Sequence, residues 1–198
     1  MKIAGFVPLS LCDYPGHTAA VVFTQGCNFK CPFCHNAHLI PMELQGSDLL
    51  EAEFVLETLA QRKKHLQGVV ITGGEPVIQQ GLAPFIAKVR EMGLKTKLDT
   101  NGASPMRLRA LLEQDLLDFV AMDIKAPWQR YAELAGVACD TALLQQSIEL
   151  IVASGVDHQF RTTRYNELLC ESDYIEIKRQ VPAASQHVWQ TYRPTVGS

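Results

Sequence analysis

The chain has 198 residues, 47% hydrophobic and 20% charged, with a formal net charge of −3, enough for one well-buried core and too short for two comfortable domains. Its longest basic run is Arg62-Lys63-Lys64, which reads as a solvated helix end rather than a nucleic-acid patch. No apolar stretch reaches the length of a membrane span, the opening MKIAGFVPLSLCDYPG is a poor signal peptide, and six cysteines with three clustered suit a reducing, cytoplasmic setting better than a secreted disulfide frame.

Past a short leader of about 17 residues, one pattern recurs along the chain: a short apolar or β-branched run, a turn, then an amphipathic helix. The first run, Thr18 to Thr24, leads into the cysteines. A helix is expected from about Asp48 to His65, capped by Ser47, with Leu49, Ala52, Leu56 and Leu59 on one face. The second run, Val69 to Ile71, ends in Thr72-Gly-Gly-Glu-Pro76. Leu82, Phe85, Ile86, Val89 and Met92 follow at helical spacing, and Gly93 supplies the stop. The third run, Lys95 to Asp99, passes into Thr100-Asn-Gly102, and Ser104-Pro105 opens a helix carrying Leu108, Leu111 and Leu112. The fourth, Asp118 to Lys125, has a longer crossover whose main helix is capped by Asp140, lined by Leu144, Ile148 and Ile151, and closed by Gly155. The fifth runs from about Val156 to Thr163. A helix with Leu168, Leu169, Ile175 and Val181 leads to the sixth, His187 to Tyr192.

Six β/α units at about 30 residues each suit right-handed crossovers and a parallel sheet. A closed eightfold barrel takes about 250 residues, so the expectation is an α/β fold built as a curved, partial (open) parallel (β/α)6 barrel. With no repeat, low-complexity segment or linker, residues 1–198 read as a single domain.

Parallel β/α sheets carry their chemistry beyond the carboxyl ends of the strands. Polar residues gather there in five consecutive units: Cys27, Cys31 and Cys34 after the first run; Gly73, Gly74 and Glu75 after the second; Asp99, Thr100 and Asn101 at the third; Asp123 and Lys125 at the fourth; Arg161 in the fifth. Gly73-Gly74 lets the backbone approach a ligand closely, and Glu75 offers a carboxylate to a bound ammonium group. Asp99, Thr100 and Asn101 could hydrogen-bond a ribose or a carboxylate, or form an ordinary loop. Asp123 and Lys125, two apart, share a strand face; on an apolar strand such a pair meets a ligand or forms an internal ion pair.

The stretch TQGCNFKCPFCHN spaces its cysteines C-x3-C-x2-C, a density that suits zinc or an iron–sulfur cluster. Structural zinc takes four ligands, and His35, His38 or Cys12 could complete a Cys3His site in a zinc-binding interaction module. Against that stand the position at the rim and a core large enough to need no metal staple. A [4Fe–4S] cubane held by three thiolates leaves one iron free to bind a chelating small molecule. Cys12, Cys139 and Cys170 stand alone and read as small buried apolar residues. The histidines read as ordinary polar residues.

In a six-unit β/α chain, C-x3-C-x-aromatic-C after the first strand resembles the radical S-adenosylmethionine (radical SAM) superfamily. Asp13-Tyr-Pro-Gly16, Phe23-Thr-Gln-Gly-Cys27 and Cys34-His35-Asn36 are similar to the glycyl-radical-enzyme activating proteins, and the run from Ile3-Ala-Gly-Phe to Cys-His-Asn is most like those of anaerobic ribonucleoside-triphosphate reductase. The resemblance implies a [4Fe–4S] cluster on Cys27, Cys31 and Cys34, and S-adenosylmethionine on its free iron. It implies reductive cleavage to a 5′-deoxyadenosyl radical that takes hydrogen from a glycine of a partner enzyme. It implies cofactor contacts from Gly73, Gly74, Glu75, Asp123 and Lys125. Phe33 is expected to pack on the adenine, and Arg161 to touch cofactor or substrate. Asp13 and His17 are expected to line a lateral gap for the partner's peptide loop. The anaerobic reductase is the expected partner, with a pyruvate formate-lyase type enzyme or a small-molecule substrate as alternatives. No cysteine falls in residues 37–68, so the electron is expected from a flavodoxin or ferredoxin rather than from a second cluster.

Overall fold

The structure, a computed structural model, describes residues 1–43 and 49–193. Seven strands lie in one sheet in chain order: β1 (Ile3–Ser10), β2 (Ala19–Thr24), β3 (Gly68–Gly73), β4 (Lys95–Thr100), β5 (Phe119–Asp123), β6 (Asp157–Arg164) and β7 (Gln186–Thr191). From β2 to β7 every pairing is parallel, and β1 adds to the near edge antiparallel. The sheet is open: β1 and β7 are its ends and do not pair with each other. Among the described residues no helix is long and apolar enough to cross a membrane.

The six parallel strands fall where the apolar runs place them. The seventh is a correction, since Ile3–Ser10 of the expected leader is a strand. Gly5 and Pro8 disguise it in the sequence, and Pro is tolerated because β1 is an edge strand. Ile3 is fully buried, pairs with Thr24 and bridges Leu50.

Six helices fill the crossovers: α1 (Ala52–Arg62), α2 (Leu82–Glu91), α3 (Pro105–Glu113), α4 (Tyr131–Ala135), α5 (Thr141–Ser154) and α6 (Glu171–Gln180). Asp140 caps α5 by accepting from Ala142 N, and Gly155 ends it with φ +72°. The first helix starts later than its pattern suggests. Its cap is Glu51, Leu49 and Leu50 precede it, Val55 joins Leu56 and Leu59 inside, and the expected cap Ser47 lies outside the described residues. In α6 the buried stripe is Tyr174 and Ile177, whereas Ile175 is exposed. Cys12 and Cys170 are also exposed rather than buried.

The parallel strands β2 to β5 bury both faces, while β6 buries one and β7 is only half-buried. One face meets the helices in a large core where Val22, Ile71, Leu98, Val120 and Phe160 pack against Leu59, Ile86, Leu108 and Leu144. The concave face holds a smaller cluster of Tyr14, Ala19, Val21 and Val70, with Phe23 and Phe119 against it. Along this face the side chains turn polar toward the carboxyl ends: Val70 gives way to Thr72 on β3 and Ala121 to Asp123 on β5. That change marks where the interior stops being core.

Candidate active site

The cysteine loop leaves β2 at Thr24 and is tied at its neck. Gly26 N donates to Leu39 O (2.8 Å), Cys27 N to Ile40 O (3.0 Å), and the buried Gln25 amide to Pro41 O (2.7 Å). On its far side Lys30 N donates to Ala135 O (2.7 Å), docking the loop on α4. The end of β3 abuts the neck, with Gly74 N donating to Thr24 O and Glu75 N to Gly26 O, both at 2.9 Å. This contact revises the reason for the glycine pair. A Cβ on Gly73 would meet Thr24 N at 2.4 Å, and one on Gly74 would meet Gly26 O at 2.2 Å. The glycines let two backbones touch, and the approach is to protein, not only to ligand.

A cavity of about 290 Å³ opens above the concave face. It is lined by Cys27, Cys31, Phe33, Cys34, Gly73, Gly74, Glu75, Asp99, Thr100, Asn101, Asp123, Lys125, Arg161 and Asp13, so all but one of the expected site residues meet there. The exception is His17. It sits at the amino end of β2, where Nδ1 donates to Pro15 O (2.8 Å) and Nε2 accepts from Lys95 Nζ (3.1 Å). Phe33 is buried, its ring tilted on Tyr165 at 5.4 Å.

Glu75 is 1% exposed, and its carboxylate accepts from Thr100 Oγ1 (2.7 Å), Asn101 N (2.7 Å) and Val77 N (3.1 Å). Most of its hydrogen-bonding capacity therefore joins the ends of β3 and β4 instead of reaching for a ligand. Burial pushes its carboxyl up to about 7, against those three donors. Asn101 turns its amide to Asn28 Oδ1 (2.8 Å) and toward Cys27 Sγ (3.9 Å).

The opposite wall is a chain of charges. Lys97 donates to Asp99; Arg161 reaches Asp99 Oδ2 through Nη1 (3.0 Å) and Asp123 Oδ1 through Nε (2.9 Å); Lys125 Nζ meets Asp123 Oδ2 (3.3 Å). Ala121, in register between Asp99 on β4 and Gln159 on β6, leaves room for the guanidinium to cross β5. Burial opposes the Asp123 charge, but Arg161 and Lys125 outweigh it and hold the carboxyl below the usual range. The same pairing keeps Lys125 and Arg161 charged despite their burial. Lys97, Asn28 and Gln25 are absent from the sequence-based site. Lys97-x-Asp99 carries the same two-residue signal as Asp123-x-Lys125 and was open to the same reasoning; Asn28 and Gln25 give no signal beyond adjacency to Cys27.

The donor set can be tested against a metal group directly. All three loop cysteines are free thiols on the cavity wall, yet no three His, Cys, Asp or Glu among the described residues converge on one metal ion. Three thiols on one cavity wall are the donor set of a cubane with one iron left open, and one ligand short of a structural zinc site. Burial pushes Cys27 up to about 12 and raises Cys31, so ligation would release protons. Burial raises the Cys139 thiol as well, but Cys139 does not line the cavity.

Residues 21–166 match the family model described as the radical SAM superfamily. The chain is 31% identical over 197 residues to a Methanocaldococcus jannaschii protein named, by assignment, a glycyl-radical enzyme activating enzyme, covering 97% of this chain and 80% of that one. It is 33% identical over 129 residues to the pyruvate formate-lyase-activating enzyme of Clostridium pasteurianum, covering 63% of this chain and about half (52%) of that enzyme. A radical SAM methyltransferase from Sphaerobacter thermophilus superposes with TM-score 0.73 at 18% identity, over 96% of this chain and 60% of that one, which shows the fold. The chain belongs to the radical S-adenosylmethionine superfamily of enzymes, and its cofactors are a [4Fe–4S] cluster and S-adenosylmethionine.

Proposed function

We propose that the protein is an activating enzyme that generates a glycyl radical on a partner enzyme, with anaerobic ribonucleoside-triphosphate reductase as the partner. The observation that carries this reading is the shape of the cavity. At about 290 Å³ it lies at the small end of ligand pockets, which run from about 300 to 1,000 Å³. Tyr14 and its neighbours Ala19, Val21 and Val70 fill the concave face beneath it. The cluster and one S-adenosylmethionine would take up such a space, and a substrate would come through the side left open between β1 and β7. A loop of another protein suits that approach. Asp13, on the cavity wall just after β1, is placed to meet it.

Cys27, Cys31 and Cys34 would hold the cluster. Bound there, the cluster would supply the single electron for reductive cleavage of S-adenosylmethionine, the chemistry that would remove hydrogen from a glycine Cα. The chain's own residues orient and shield that event. Lys125 and Asp123 offer paired charges to the methionine end, Thr100, Asn101 and Asp99 offer polar contacts along the wall, and Phe33 closes the apolar side. Glu75 and the glycine pair brace the cysteine loop, and Arg161 links Asp99 to Asp123. Residues 1–198 act as one domain, a reading supported by a core that runs from Ile3 to Val181. Cys12, Cys139 and Cys170 are dispersed along the chain, so the electron comes from a flavodoxin or ferredoxin. Six free thiols favour the cytoplasm.

The partner assignment draws on the Ile3-to-Asn36 run, and the activase class on the name of the archaeal relative, which specifies no partner. The C. pasteurianum relative favours a pyruvate formate-lyase type partner as the second reading. Anaerobically reconstituted protein, reduced and given S-adenosylmethionine with each candidate partner, should yield a glycyl-radical doublet in electron paramagnetic resonance on the reductase. Methionine and 5′-deoxyadenosine formed without a radical on either partner would refute the activase reading. Cys31→Ala should lose iron, sulfide and cofactor cleavage together.

A further inference from the structure

Lys97 stands out as a charge with no access to the cavity. Its side chain is 2% exposed, its register neighbours are Val70 on β3 and Phe119 on β5, and its ammonium meets one carboxylate, that of Asp99. An ammonium between apolar neighbours is costly unless it is paired. Asp99 in turn is held from both sides, Oδ1 by Lys97 and Oδ2 by Arg161, and unlike Lys97 it lines the cavity.

We propose that Lys97 is a positioning residue for cofactor binding: from below the cavity floor it fixes the Asp99 carboxylate against Arg161, and so sets the polar wall that receives S-adenosylmethionine. The proposal rests on the reading of Asp99 as a cofactor contact. Without Lys97 the Asp99 side chain has one anchor instead of two and can turn away from the wall. With Arg in its place a cation remains to hold Oδ1. The effect passes through Asp99, so it has to vanish when Asp99 has lost its charge. A residue that merely fills space beneath the sheet has no such dependence.

The test is a double-mutant cycle on cluster-loaded, unreduced protein, with S-adenosylmethionine affinity measured by calorimetry and folding by thermal melting. Lys97→Met keeps the side-chain length without the charge and should weaken binding about tenfold, Lys97→Arg should restore it to within about threefold, and Lys97→Met added to Asp99→Asn should change affinity by less than about twofold. Parental affinity in Lys97→Met beside weakened affinity in Asp99→Asn overturns the role of Lys97 alone, as does simple multiplication of the two effects. Parental affinity in Asp99→Asn overturns the underlying reading of Asp99 and the Lys97 proposal with it. If Lys97→Met fails to fold, Lys97→Gln, an uncharged hydrogen-bond donor, reads the same coupling.

Discussion

Gly74→Ala separates two explanations of the Gly-Gly-Glu turn. If the glycines serve only a ligand, the substitution harms cofactor binding and leaves the apoprotein sound. The geometry says otherwise, because the new Cβ would lie 2.2 Å from Gly26 O, 2.7 Å from Gly26 C and 3.0 Å from Leu39 O. All three are backbone atoms that cannot swing aside, so the loop neck must separate from β3. Two hydrogen bonds are then at risk, Glu75 N to Gly26 O and Gly26 N to Leu39 O, at about 1 kcal/mol each. With about 1–3 kcal/mol of overpacking, the expected loss is about 3–5 kcal/mol. Gly93→Ala is the control: its φ is +78° and nothing lies within 4 Å of the added Cβ, so only the left-handed backbone cost of about 1–2 kcal/mol applies. Both variants are measured by thermal melting before reconstitution and by iron and sulfide content after it, with no S-adenosylmethionine present. Gly74→Ala should melt below the control and load little cluster. If it melts with the control and loads fully, the neck contact is not what the glycines are for.

Glu75 should leave a pH signature on stability. Its folded pKa is about 7 against an ordinary 4.5, so between these values the folded state binds the proton more tightly and stability falls as pH rises, by about 3 kcal/mol in all. Glu75→Gln, measured by urea unfolding across that window, should remove this component from the parent curve. It should also cost about 1–3 kcal/mol at low pH, since one amide oxygen cannot serve three donors; parallel curves would refute the assignment. Arg161→Lys keeps the charge but cannot bridge both carboxylates from separate nitrogens. It should lower the urea midpoint by the equivalent of about 1–3 kcal/mol and weaken S-adenosylmethionine binding, and parental values in both would show that the bridge does neither.

How much of this was open to reading from the sequence depends on which end of a strand a residue occupies. The cysteines, Glu75, Thr100, Asn101 and Asp123 were legible because each follows or ends an apolar run, and in a parallel sheet all such ends point one way. His17 does not share that logic: it lies one residue before the first run, a strand of this length sets its two ends about 17–20 Å apart, and it does not line the cavity. β1 was illegible because an edge strand bears Gly5 and Pro8 without penalty, and a pattern tuned to central strands rejects both. The late start of α1 was hidden because apolar Leu49 fits a helical period as readily as it fits the approach to Leu50, which bridges Ile3.

Lys97 is the most instructive omission. Along β4 the sequence Lys-Thr-Lys-Leu-Asp-Thr places Lys95, Lys97 and Asp99 on the concave face, and counting period two recovers that much. What it does not give is depth. Lys95 is exposed, Lys97 lies between Val70 and Phe119, and Asp99 opens on the cavity. Depth is set by how far neighbouring strands extend and by Tyr14 folding in beneath, both of which come from distant parts of the chain. The alternation says which residues share a face, and only the packed sheet says where along that face the core ends and the site begins.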